Sequence, residues 1–162
     1  MKASRVTAPG QFVIENVADP KPRTDQVLIE SLFVAICGSD IYVLHHMPAD
    51  AYPKETGTTG HEMVGVVRQF GSTVTGLEPG ELVLGLSPDH TAMSELYCAQ
   101  AENSLRLPQG RTPEEFLMAQ QLGTVIYACR RLPDISGKTA LVVGQGSAGL
   151  FFNSMLKRLG AK

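Results

Sequence analysis

Two polar interruptions of apolar runs contain residues that could do metal chemistry. The first, "VAICGSD", contains Cys37, Ser39 and Asp40, and the second, "GTTGHEMVGVV", contains His61 and Glu62. Thiolate and imidazole are standard zinc ligands, while a carboxylate can bind the metal or orient a ligand from behind it. We interpret the two stretches as halves of one site. The alternative is that a lone cysteine or histidine is simply a buried structural residue.

A glycine-rich segment indicates a second kind of chemistry. In "VVGQGSAG", Gly144, Gly146 and Gly149 are spaced G-x-G-x-x-G between an apolar run and a helical pattern that opens with Ser147 and Ala148. In this context the first glycine permits a tight turn, the second lets backbone approach a pyrophosphate, and the third lets helix and strand pack closely. The free N–H groups of the helix start favour phosphate. The pattern predicts NAD or NADP binding, against the alternative of an ordinary glycine-rich turn, and it leaves the choice of cofactor open.

The elements that must position these residues are short strands over the first hundred residues. Branched residues and partial alternation predict strands at "QFVIENV", "QVLIESLFVAI", "HEMVGVVRQFG", "ELVLGL" and "MSELYCAQ". "GSTVTGLEPGE" between two of them is typical of turns. Several short strands at this spacing favour a barrel or a sandwich.

The pattern then changes to helices. In "RTPEEF", Thr112 as N-cap, Pro113 at the first helical position and Glu115 three residues after the cap predict a capping box. "TALVVG" predicts a short buried strand and "SAGLFFNSMLKRLG" a helix. We predict two domains, residues 1–135 and residues 136–162.

Composition limits the classes of function. The chain has 162 residues, 43% of them hydrophobic, and a net charge of −2, so neither nucleic acid nor an anionic membrane is expected as a partner. It contains no run of 18 apolar residues and no signal-peptide pattern at its start. Three widely spaced cysteines do not make a disulfide framework, which favours a reducing cytoplasm.

The order of "ICGSD", "GHEMVGVV" and "GQGSAG" resembles that of the medium-chain alcohol and polyol dehydrogenases, and "LEPGELV" is similar to a turn of that family. The resemblance covers essentially the whole chain. It implies a mainly β GroES-like barrel with short helices, followed by an incomplete α/β Rossmann segment of one strand and one helix.

The resemblance also implies roles for individual residues. Cys37 and His61 match the first two ligands of one catalytic zinc ion. Ser39 matches the hydroxyl that passes the substrate proton toward solvent, and Asp40 the carboxylate that supports the histidine ligand. Glu62 matches a glutamate that lies behind the zinc and becomes a ligand in some members.

The third zinc ligand is where the sequence departs from the family. Aligning "AQQLGTVIYACRR" with the sorbitol-dehydrogenase-like "IEPLSVGIHACRR" puts Gln120 at a position usually held by Cys, Glu or Asp. A neutral amide is a weaker zinc ligand than a carboxylate. The glucose-dehydrogenase branch carries a similar "AQPL" and uses the glutamate after the histidine. By that analogy Cys37, His61 and Glu62 bind the metal, with Gln120 close by.

Two further departures follow from the resemblance. Tyr42 lies where many alcohol dehydrogenases have a histidine that ends the proton relay, so that step is left open. The four-cysteine lobe for structural zinc is missing, because "LVLGLSPDHTAMSELY" passes directly between strands. We expect no structural zinc, and we expect His90 in that link to be solvated.

The implied function is a zinc-dependent oxidoreductase that transfers hydride between an alcohol, polyol or sugar and NAD(P). The alternatives are a zinc-free reductase of the same superfamily, which would lack the Cys and His–Glu residues, and a non-catalytic GroES-like module. We expect the 162-residue chain to be inactive alone as an enzyme, because a dinucleotide crevice needs about six parallel strands. The full-length protein is expected to be a homo-oligomer acting on a small molecule.

Overall fold

The computed structural model describes residues 1–162, and strands dominate its first two thirds. The elements in chain order are β1 (Lys2–Ala8), β2 (Gln11–Asn16), β3 (Gln26–Ala35), α1 (Gly38–His45), β4 (Glu62–Phe70), β5 (Leu82–Gly85), β6 (Leu96–Gln100), β7 (Ser104–Arg106), α2 (Pro113–Phe116), α3 (Ala119–Cys129) and α4 (Ser147–Arg158). The chain divides into two units, residues 1–117 and residues 118–162. None of the helices is long and apolar enough to cross a membrane.

The first unit contains two antiparallel sheets. One pairs β1 with β2, and the other has five strands in the order β6-β3-β4-β5-β7. The core is apolar and comes from the inner strands and the links between them: Val27, Ile29, Met63, Val67, Leu77, Val83, Ala92, Tyr97 and Ala99. All five predicted strands are present, and the mainly β fold with short helices agrees with the expectation. The strands β1 and β7 and the helix α1 were not predicted.

The pairing of β3 with β4 determines where the polar residues meet. These strands are antiparallel, and their last pair joins Ala35 to Glu62. The chain that leaves β3 toward Cys37 therefore lies beside the chain that enters β4 through His61. Because antiparallel neighbours bring the end of one strand to the start of the other, the two polar stretches share one end of the sheet.

The link between β5 and β6 is packed closely on the turn that precedes β4. Gly57 accepts a backbone hydrogen bond from Met93 at 3.0 Å. Gly60 has φ +66°, and a Cβ there would lie 2.5 Å from the backbone nitrogen of Met93. Such an approach excludes any side chain at this position, so glycine is required both for the conformation and for the contact.

The predicted capping box is present at the start of α2. The Glu115 carboxylate accepts the backbone N–H of Thr112 at 3.0 Å, and α2 follows with Pro113 in its first turn. This prediction is confirmed.

In the second unit α3 and α4 contact each other, and the segment between them differs from the prediction. Residues 139–143 are not a strand, and Leu141 and Val143 are 88% and 90% exposed, so the predicted buried strand is wrong. Backbone hydrogen bonds join only its start, at Lys138 and Ala140, to Lys162. A strand is paired and buried only where another strand runs beside it along its length. In this unit only the backbone of Lys162 is hydrogen-bonded to the backbone of this segment.

Candidate functional site

Three side chains converge at the shared end of β3 and β4. One ligand atom each from Cys37, His61 and Glu62 lies within 4.8 Å of the other two. Glu62 is only 4% exposed, and the other two are half-buried. Ligands held about 2.0 to 2.3 Å from a zinc ion are separated from each other by roughly 3.5 Å, so the three donors could close on one ion through small side-chain adjustments.

Asp40 connects two of these residues from behind. It is 1% exposed in the first turn of α1, where one carboxylate oxygen accepts the backbone N–H of Cys37 at 2.7 Å. The other carboxylate oxygen lies 3.3 Å from Nδ1 of His61. A carboxylate can only accept hydrogen bonds, so Nδ1 carries the proton and the lone pair of His61 is on Nε2. This is the tautomer that a metal requires at Nε2.

Ser39 is placed on the same side as that lone pair. Its hydroxyl oxygen lies 3.3 Å from Nε2 of His61, and its side chain is exposed. Both groups line a cavity of about 440 Å³. A hydroxyl between the histidine and the open cavity can accept and release a proton, and the relay role that the resemblance implies for Ser39 remains a prediction.

The cavity has one wall that sequence reasoning missed. Asp89 and His90, from the link between β5 and β6, line it together with residues of α1 and of the turn before His61. The ring of His90 lies beside that of His61, with 5.1 Å between centroids. We expected His90 to be merely solvated. It is exposed, but it faces the candidate site, because the close packing of its link on Gly57 and Gly60 brings it there.

Two further predicted residues have separate positions. Tyr42, on α1, is 54% exposed and lines the same cavity. Gln120 is in α3 of the second unit, where its side-chain amide donates to the Thr124 hydroxyl at 3.5 Å. Its contribution to a metal site remains a prediction.

The remaining cysteines are not candidates for the site. Cys129 is buried in α3. Cys98 is half-buried on β6, and burial raises the pKa of its thiol, an effect that the nearby Arg23 charge partly offsets. A raised pKa keeps the thiol protonated, which disfavours metal binding.

The glycine-rich loop leads into α4, although the predicted strand before it is absent. Gly144 has φ +97°, and a Cβ on Gly149 would lie 2.1 Å from the Gly144 carbonyl oxygen. A Cβ on Gly146, the N-cap of α4, would meet no atom within 4 Å. The third glycine is therefore needed for close packing, whereas the second faces open space. Ser147 and Ala148 form the first turn of α4, whose backbone N–H groups could bind a phosphate.

Comparison with known proteins identifies the family of this chain. The family model of the alcohol dehydrogenase GroES-like domain matches residues 23–127. Sorbitol dehydrogenase of Ovis aries is 30% identical over 183 residues, 96% of this chain and 52% of the relative. The chain thus spans about half the length of the curated relatives it matches.

Solved structures show the same fold. A structure of an Escherichia coli oxidoreductase/dehydrogenase of unknown specificity is 26% identical, with a TM-score of 0.85 over 99% of this chain and 56% of that one. The 2R,3R-butanediol dehydrogenase of Bacillus subtilis, 24% identical, has a TM-score of 0.81 over 99% of this chain and 55% of that one, a likeness in fold. Since the family model covers well over half of the residues, the chain belongs to the medium-chain dehydrogenases, through their alcohol dehydrogenase GroES-like domain.

Proposed function

We propose that this chain supplies the metal site and the phosphate-binding loop of a zinc-dependent oxidoreductase. The reaction transfers hydride between an alcohol, polyol or sugar and NAD or NADP. The observation that carries the proposal is the convergence of Cys37, His61 and Glu62 within 4.8 Å at one end of a sheet. Family membership supports it, since the alignment with the sorbitol dehydrogenase of Ovis aries covers 96% of this chain.

The donor set suits one zinc ion. Thiolate and imidazole match zinc's intermediate softness, and the Glu62 carboxylate completes three protein ligands, the number typical of catalytic sites. Gln120 is proposed to lie close by as a weaker donor, because it brings no charge. A zinc ion bound there would act as a Lewis acid that lowers the pKa of an alcohol.

The chain's own residues would handle the proton. Ser39 lies on the cavity wall within 3.3 Å of Nε2 of His61, so its hydroxyl can accept the substrate proton and pass it to the exposed side. Asp40 holds the backbone of Cys37 and the ring of His61 in one arrangement, which is a positioning role. Tyr42 lines the same cavity and offers a second hydroxyl for this path.

The glycine-rich loop is proposed to bind the pyrophosphate of NAD or NADP. The open space beside Gly146 and the N–H groups of Ser147 and Ala148 support this assignment. The cofactor carries the redox chemistry, and the protein contributes position and charge. In the full-length protein, replacing Gly146 with Val would fill the space that phosphate oxygens need, so NAD(P)H binding should weaken well before zinc content falls.

Several expectations from the sequence remain proposals. They are the division at residues 135/136, a small-molecule alcohol, polyol or sugar as the substrate, and self-association into a homo-oligomer. A cytoplasmic location is also proposed, on the ground that all three cysteines are free.

A zinc-free reductase of the same superfamily is the second candidate function, because such a reductase has the same fold. A quinone oxidoreductase of Pseudomonas syringae shares the fold, with a TM-score of 0.78 at 21% identity over 99% of this chain and 51% of that one. The cluster of three donors argues against it. Burying the Glu62 carboxylate beside Cys37 and His61 costs free energy, and in a reductase without zinc no metal ion would offset that cost.

Metal analysis of the purified chain tests the proposal. The wild-type chain should retain one zinc ion after dialysis against a mild chelator. Cys37→Ser and His61→Ala should each abolish retention, Glu62→Gln should lower it markedly, and Gln120→Ala should lower it least. The exposed His46 serves as a control, since His46→Ala should leave retention unchanged.

Two results would contradict the assignment in different ways. A wild-type chain that holds no zinc would favour the zinc-free reductase or a non-catalytic module. Loss of zinc in Gln120→Ala, with retention in Glu62→Gln, would show that the amide and not the carboxylate completes the site.

A further inference from the structure

The link between β5 and β6 holds His90 in a fixed position on the wall of the cavity. The backbone N–H of His90 donates to the Ser87 carbonyl at 3.1 Å, and the hydroxyls of Ser87 and Thr91 are 2.9 Å apart. Ser87 is 2% exposed, so this small turn is anchored in the protein. The same turn rests on Gly57, where a Cβ would lie 2.3 Å from the Thr91 carbonyl oxygen.

The backbone of His90 is in an uncommon conformation. Its φ is +52°, and it is the one residue of the 162 other than glycine with a positive φ. This left-handed region is disfavoured for most side chains and is tolerated best by glycine and asparagine. The anchored turn therefore fixes the direction of the Cα–Cβ bond that carries the imidazole.

The imidazole of His90 is available to a ligand. Its ring contacts the ring of His61, but its nitrogens have no hydrogen-bond partner in the chain. An imidazole offers one donor and one acceptor, both of which suit a hydroxyl group. A cavity of about 440 Å³ is of the size that takes a small molecule.

We propose that His90 determines specificity by hydrogen-bonding a second substrate hydroxyl, on the carbon next to the one that reacts. The inference rests on the proposed function, which places the reacting oxygen near Nε2 of His61. Because the two rings are neighbours at 5.1 Å, a group held by His90 lies next to the reacting oxygen rather than several bonds away. The substrate class is thus a vicinal diol, such as a polyol, rather than a simple alcohol.

A matched pair of small alcohols tests this inference. 1-Propanol and 1,2-propanediol differ by one hydroxyl, and their binding can be followed through the visible absorption of the chain loaded with Co²⁺ in place of zinc. We expect the wild-type chain to bind the diol about fivefold more tightly, the effect of one neutral hydrogen bond.

Variants at His90 separate recognition from packing. His90→Gly and His90→Asn both suit the left-handed backbone, so neither should disturb the fold. His90→Gly should remove the preference and leave 1-propanol binding unchanged. His90→Asn, which keeps a donor and an acceptor, should retain part of the preference. His46→Asn, at an exposed histidine outside the cavity, should keep all of it.

The possible failures point to different errors. An unchanged preference in His90→Gly, equal loss of both alcohols in that variant, or a wild-type chain that does not favour the diol would each overturn the role of His90 while leaving the metal site intact. A chain that fails to take up Co²⁺ would instead contradict the proposed function, and this inference with it.

Discussion

Replacing Asp40 with Asn should separate the stability of the fold from the affinity for metal. In the wild-type protein the Asp40 carboxylate accepts a hydrogen bond from the Cys37 backbone N–H at 2.7 Å, and its other oxygen lies 3.3 Å from Nδ1 of His61. Asn has nearly the same shape, but one of its two positions becomes an NH2 donor. The backbone N–H of Cys37 can only donate, so the amide oxygen must remain on that side.

The NH2 group of the introduced asparagine would then face His61, and the histidine can respond by changing its tautomer. If Nδ1 becomes an acceptor, the proton moves to Nε2, which then has no lone pair to offer a metal. Both polar contacts of the side chain survive, so the metal-free chain should lose less than about 1 kcal/mol of unfolding free energy. Zinc affinity should fall about 10- to 100-fold, the usual effect of removing a partner that orients a metal-binding histidine.

Asp40→Ala should behave differently, because it leaves the Cys37 backbone N–H and Nδ1 of His61, both half-buried, without an acceptor. Each unsatisfied donor costs about 1 to 3 kcal/mol, so the metal-free chain should lose about 2 kcal/mol or more. Unfolding in urea measures the stability, and competition with a chromogenic chelator measures the zinc affinity. Asp50→Asn, at an exposed aspartate in the turn after α1, is the control that should change neither quantity.

The comparison of the two variants decides whether this reasoning holds. It is refuted if Asp40→Asn keeps the zinc affinity of the wild-type chain. It is equally refuted if Asp40→Asn loses as much stability as Asp40→Ala, because the histidine would then not have changed its tautomer.

Three further predictions concern the fold around the site and the loop. Gly60→Ala places a Cβ 2.5 Å from a backbone nitrogen, whereas Gly76 has a similarly positive φ but open space around it. Urea unfolding should therefore show a loss of about 1 kcal/mol of unfolding free energy in Gly76→Ala and a clearly larger loss in Gly60→Ala. Gly123→Ala, with open space in α3, should raise helix stability by about 1 kcal/mol. Gly149→Ala should lower it, because the added Cβ would lie 2.1 Å from a backbone carbonyl oxygen. Thermal melting followed by circular dichroism measures both effects, and equal gains would contradict the close packing. Burial raises the pKa of Tyr97 far above its ordinary value of about 10, so above that pH the unfolded state loses a proton that the folded state keeps. Unfolding free energy should therefore fall by about 1.4 kcal/mol per pH unit above that pH. Tyr97→Phe should remove this slope. If the slope persists in the variant, a group other than Tyr97 causes it.

The site residues that could be predicted from the sequence are those whose position follows from the residue pattern immediately around them. The apolar runs before Cys37 and after Glu62 identify two strands, and the polar residues mark where those strands end and begin. Antiparallel pairing of consecutive strands then places both ends together, as the final pair of Ala35 with Glu62 does. In the glycine-rich loop, the positive φ of Gly144 and the close contact of Gly149 are local requirements, whereas phosphate binding beside Gly146 remains a prediction.

The position of His90 could not be predicted in this way, because it depends on a contact between segments that are far apart in the chain. Nothing within "LVLGLSPDHTAMSELY" shows that this link rests on Gly57 and Gly60. The failure at residues 139–143 has a different cause. Their composition favours a buried strand, but burial and pairing come from neighbouring strands, and local composition carries no information about whether a neighbour is there.

The buried position of Asp40 links the metal site to the sheet itself. A carboxylate that is 1% exposed is stable only while its oxygens have polar partners, and its two partners come from the end of β3 and the start of β4. If the pairing of Ala35 with Glu62 opened, the carboxylate would lose one donor and both ligands would lose their common support. Bound metal would oppose that opening, because it joins the same two strand ends. Metal should therefore slow amide hydrogen exchange most at the Cys37 and Glu62 end of the β3–β4 pair and least at its other end, near Val27 and Phe70.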